Sequence, residues 1–96
     1  MHRILAAAIG LASIAAAGLA SAEPPAGAAA CSGCHPTSPR VISPVIRLNG
    51  LDQTRIVKAM EDFRSGSRPA TVMDRISKGF TDAEIQAIAA WYASQR

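Results

Sequence analysis

The chain has 96 residues and a formal charge of +3, a length that points to a single domain with a thin core. The charge is modest and no basic tract is interleaved with aromatics, so nothing here favours a nucleic-acid binder. With only two cysteines the chain can make at most one internal disulfide, and a domain this small ordinarily needs a staple such as a metal, a disulfide or a cofactor.

The first 22 residues read as a targeting segment. His2 and Arg3 form a short positive region, and Ile4 to Leu19 is an alanine-rich apolar run of 16 residues. That is shorter than the roughly 20 needed to span a bilayer. Ala20-Ser21-Ala22 supplies the small residues that a signal peptidase requires, so cleavage is expected after Ala22. The rival reading is a retained anchor. After cleavage, the domain would be 23–96, without a membrane span, exported to a periplasm where thiols are oxidised.

Pro24-Pro25 opens the remaining chain, and Ala26 to Ala30 reads as one or two helical turns running into Cys31. Pro36, Pro39 and Pro44 break any periodicity up to Asn49, which gives an extended loop. Leu51 to Arg64 is an amphipathic helix with Ile56, Met60 and Phe63 on its apolar stripe. Ser65-Gly66-Ser67 and Pro69 end it. A short segment, Thr71 to Lys78, reads as one or two helical turns ending at Gly79, ahead of the best-marked helix. There Thr81 and Glu84 form a capping box, Phe80 and Ile85 stand at the staple positions, and Ile85, Ile88, Ala89 and Tyr92 share one face. No stretch alternates with a period of two, so the class is all-α.

Cys31-Ser32-Gly33-Cys34-His35 carries the chemistry. It is the C-x-x-C-H pattern of covalent haem attachment. Two thiols three positions apart on a helical turn reach two vinyl groups of one porphyrin, and the next residue, a histidine, lies beneath the ring to ligate the iron. Three other readings compete. A thioredoxin-like dithiol would follow a strand, and none is expected here. A zinc site would have only two cysteines and His35, the sole histidine left after export. A plain Cys31–Cys34 disulfide remains the third.

A haem of this kind takes a second axial ligand, and methionine sulfur raises the potential of electron carriers. Met60 lies on the apolar stripe of a helix, where methionine is commonly core filler. Met73, 38 residues beyond His35, follows the Gly66–Pro69 break, and its position favours it. Were neither to ligate, the open iron would suit peroxidase-like or gas-binding chemistry. Pro44 is either a carbonyl partner for the free N–H of His35 or simply a loop proline. Trp91 and Tyr92 are placed either against the first helix or the haem edge, or as plain core aromatics. Arg40, Arg47, Arg68, Arg75 and Lys78 are either a solvated surface or a rim that steers an acidic partner.

These features together resemble a class I cytochrome c. More narrowly, the run from Phe63 to Gln95, FRSGSRPATVMDRISKGFTDAEIQAIAAWYASQ, resembles the monohaem cytochrome subunit of flavocytochrome c sulfide dehydrogenase. The resemblance implies a fold of about four helices around one covalent haem c, with thioethers at Cys31 and Cys34 and axial ligands His35 and Met73. It also implies contact between Ile88-Ala89-Ala90-Trp91 and the first helix. By the same resemblance the chain would take electrons from an FAD-containing sulfide-oxidising subunit and pass them to a downstream cytochrome or oxidase. A free diffusible cytochrome serving an oxidase or photosynthetic centre is the alternative. No nucleophile–base pair, phosphate loop or flavin fingerprint is present, so the chain is expected to carry electrons, with catalysis residing in a partner subunit.

Overall fold

A computed structural model describes residues 10–12 and 23–96. The expected leader, residues 1–22, therefore lies outside the described residues except for 10–12. Among the described residues there are four helices and no strand: α1 Ala28–Cys31, α2 Gln53–Ser65, α3 Met73–Ser77 and α4 Asp82–Ser94. The all-α expectation holds, with small shifts at the helix ends.

α1 is brief because its approach is sharp. Gly27 precedes it at φ 86, and a Cβ there would meet the Phe80 ring at 2.7 Å. Glycine serves both the left-handed backbone and the close approach. α2 begins two residues later than the apolar pattern suggested, because Asp52 caps it. The Asp52 carboxylate accepts from the backbone N–H of Thr54 at 2.9 Å and of Arg55 at 3.3 Å. The helix closes at Gly66.

α4 starts as expected. The Glu84 N–H donates to Thr81 Oγ1 at 3.2 Å, and the Thr81 N–H donates to Glu84 Oε1 at 2.9 Å. Ile85, Ile88, Ala89 and Tyr92 are all buried. α2 packs against both α3 and α4. Arg64, at the end of α2, fastens that packing by donating to the Phe80 carbonyl at 2.8 Å and to Asp82 Oδ1 at 2.5 Å.

The core joins the two ends of the domain. Ala28 of α1 is buried with Ile56 of α2 and with Ile88, Ala89 and Tyr92 of α4; Cys31, Leu48, Leu51, Val57, Phe80 and Trp91 pack around them. The Tyr92 hydroxyl donates to the Ala28 carbonyl at 2.5 Å. This contact puts the first and last helices together, as the resemblance implied, and assigns Tyr92 to that junction. Trp91 lies half-buried beside it, its ring edge-on to Tyr92 with centroids 4.8 Å apart.

Candidate haem site

α1 ends on Cys31, and the chain continues as a turn. The Cys34 N–H donates to the Cys31 carbonyl at 3.2 Å, and the His35 N–H donates to the same oxygen at 2.9 Å. The three residues of the motif thus share one helical turn rooted in the core through Ala28. Both thiols are free; Cys31 is half-buried and Cys34 exposed. Burial pushes the Cys31 thiol above its ordinary range, and burial likewise raises Tyr92, whose hydroxyl stands beside that sulfur.

His35 Nδ1 lies 2.6 Å from the Ile46 carbonyl. A carbonyl only accepts, so Nδ1 carries a proton, and in the neutral ring Nε2 then keeps its lone pair. This is the tautomer a metal-ligating imidazole requires, with the opposite nitrogen fixed by a backbone oxygen. The acceptor is not Pro44, as the loop prolines suggested, but the residue two positions further along. Sequence carried no signal for this, because every residue in the loop offers a carbonyl and only the course of the backbone selects one.

Met73 is the first residue of α3 and half-buried. It opens a five-residue helix that packs on α2, within the short Thr71 to Lys78 segment expected to make one or two helical turns. Met60 is also half-buried, on the body of α2. The structure thus gathers Cys31, Cys34 and His35 on one turn and keeps Met73 on a separate element.

The residues present suit a porphyrin. Val41, Ile42, Val45 and Ile46 in the loop after His35, together with Val72 and Ile76 flanking Met73, are exposed apolar side chains. These are the surfaces against which a large flat apolar group packs. Two unpaired thiols could tether such a group through thioethers, and an imidazole with a bonded Nδ1 could offer Nε2 to its iron. Among the described residues no group of three or more His, Cys, Asp or Glu side chains is placed to hold a bare metal ion, so the zinc reading gains no further ligand.

Of the basic residues, Arg40, Arg75 and Lys78 are exposed. Arg68 lies over the Phe63 ring, 5.0 Å from its centroid. Arg47 is half-buried, and its Nε donates to the Thr37 carbonyl at 2.8 Å. It is therefore part of the loop's internal bonding, a role that charge pattern alone did not indicate.

An all-α chain that sets C-x-x-C-H on a helical turn, docks that turn on its last helix and fixes the histidine through a loop carbonyl has the build of a c-type cytochrome. No family model matches the chain, but curated proteins do. It is 39% identical over 64 residues to the cytochrome subunit of sulfide dehydrogenase of Chlorobaculum tepidum, a match covering 67% of this chain and 58% of that protein. It is 32% identical over 69 residues to cytochrome c-554(548) of Halomonas halodenitrificans, a match covering 68% of this chain and 83% of that protein. The chain belongs to the c-type cytochromes, haem-binding proteins of electron transfer. It spans less than two thirds of the length of the sulfide dehydrogenase subunit that it resembles.

Proposed function

We propose that this chain is an exported one-haem electron carrier, the cytochrome partner of a flavin-containing sulfide-oxidising protein. The observation that carries the haem assignment is the 2.6 Å bond from His35 Nδ1 to the Ile46 carbonyl, made on the turn that bears Cys31 and Cys34. The bound haem supplies the Fe(III)/Fe(II) couple. The protein's part is to hold it. Cys31 and Cys34 would tether it by thioethers, and His35 Nε2 and Met73 Sδ would be its iron ligands. Tyr92 keeps α1, and with it the attachment turn, seated on α4.

Export rests on the leader pattern ending at Ala22, and no helix among the described residues is long and apolar enough to cross a membrane. The flavoprotein partner rests on the likeness to the sulfide dehydrogenase subunit, reinforced by the Phe63–Gln95 run. Mass spectrometry of protein recovered from periplasm should give one haem added to a chain beginning at Glu23. A mass without haem, or a retained leader, overturns the corresponding part. The oxidised protein should show the weak sulfur-to-iron charge-transfer band, and Met73→Ala should abolish it while Met60→Ala leaves it in place. Affinity capture from the same periplasm should retain a flavin-containing protein; its absence favours a free diffusible carrier.

A further inference from the structure

Residues 36–46 leave the histidine and return beneath it without regular structure. Little of this loop packs against the rest of the protein, since Ile42 is fully exposed and Val41 is 54% exposed. Its internal bonds are local: the Val41 N–H to the Ser38 carbonyl and the Val45 N–H to Ser43 Oγ. Only two hydrogen bonds join its ends. One is His35 Nδ1 to the Ile46 carbonyl at 2.6 Å, and the other is Arg47 Nε to the Thr37 carbonyl at 2.8 Å. They lie side by side, each linking a residue at or just after the attachment turn to one where the loop returns. The returning strand is anchored beyond Arg47, where the Gly50 N–H donates to the Tyr92 carbonyl at 2.9 Å. The Arg47 side chain shares a cleft there with Asn49, Gly50 and the last residues of α4.

We infer that Arg47 is a positioning residue for the iron ligand: its guanidinium clasps the loop shut and holds the Ile46 carbonyl on His35 Nδ1. This rests on His35 being the ligand. The argument is one of entropy and geometry. An irregular eleven-residue loop whose ends are joined by a single imidazole bond samples more end-to-end arrangements than one joined by two bonds. A charge-assisted bond from a planar donor beside it restricts them. A tighter Nδ1–H···O bond makes Nε2 a stronger donor, which favours ferric iron. Loosening the clasp therefore shifts the couple toward the reduced form.

Arg47→Lys separates geometry from charge. The lysine keeps the positive charge but places a methylene where Arg47 has its Nε–H. At a fixed potential, the ratio of reduced to oxidised protein should rise about threefold, an upward shift of about 28 mV at 59 mV per tenfold for one electron. An unchanged or lowered potential in this variant overturns the inference. Simple loss of positive charge would stabilise ferric iron and lower the potential, so Arg47→Met should fall short of the lysine variant's rise by that opposing amount. A second measurement needs no variant. In the wild-type holoprotein the Arg47 Nε–H should exchange with solvent at least tenfold more slowly than that of exposed Arg40, and equal rates overturn the clasp. The ligand reading is tested separately in the same ferric sample. Large paramagnetic shifts of the His35 ring protons support His35 as ligand, and ordinary shifts overturn that reading while the exchange rates still report on the clasp.

Discussion

At the scale of single residues, the hydroxyl of Tyr92 shows how one atom couples core to site. It donates to the Ala28 carbonyl in a fully buried position, one turn before Cys31. Tyr92→Phe keeps the ring and removes the donor, leaving a buried carbonyl unpaired, which costs about 1–3 kcal/mol. A denaturant titration of the holoprotein should show the midpoint falling with an unchanged slope. Equal stability would mean that water or a backbone shift replaces the bond. Phe80 and Gly27 give the complementary steric case. Gly27→Ala requires φ 86 of a residue with a Cβ, and that Cβ would collide with the Phe80 ring. The variant should lose more stability than Tyr92→Phe, and haem incorporation per chain should fall because the attachment turn is displaced.

At the scale of elements, capping decides where the helices begin. Thr81→Ala removes one half of the capping box and should cost about 1 kcal/mol in a thermal or urea melt. The carboxylates at these caps also give the chain an acid limit. Hydrogen bonds from Thr54 and Arg55 hold Asp52 below its ordinary 3.8, and those from Thr81 hold Glu84 below its ordinary 4.5. The bond from Lys58, at 2.6 Å, does the same for Asp62. A depressed folded value means that the unfolded chain binds more protons at low pH. The stability these groups contribute is therefore present above about pH 4.5 and is lost as the pH falls through the depressed values. Melting temperature should be flat from pH 7 down to that point and then decline. Asp52→Asn and Glu84→Gln together should blunt the decline.

At the scale of the whole molecule, the core is small for its task. Among the described residues the buried apolar set is Ala28, Ile56, Ile85, Ile88, Ala89 and Tyr92, and two of these are alanines with little surface to bury. Such a core does not offset the conformational entropy of a domain this size without further help. The proposed haem would supply that help by packing against the exposed apolar side chains around His35 and Met73. A Cys31→Ala, Cys34→Ala double variant exported without haem should therefore show a large loss of far-ultraviolet helical signal relative to the holoprotein. Full retention of that signal would mean that the four helices fold independently of the group.

The attachment motif, the all-α class, the capping box and the apolar face of α4 were legible in the sequence because each is local. A C-x-x-C-H, a Thr three residues before a Glu, and a 3.6-residue period all act within a turn or two of chain. Asp52 follows the same rule, but the apolar pattern, running from Leu51, passed over it. Other features had no local signature. Which carbonyl meets His35 depends on the path of an irregular loop, and the choice of Ile46 over Pro44 came from that path. That Arg47 bonds inward while Arg40 stays in solvent depends on where the returning strand lies against α4. That α3, with Met73 at its first residue, packs on α2 depends on contacts between separate elements. The sequence by itself determined what chemistry the chain can carry, since covalent tethers and helix periodicity are written in nearest neighbours. Only the tertiary structure decided how the histidine is held, because that bond joins residues brought together by packing rather than by spacing.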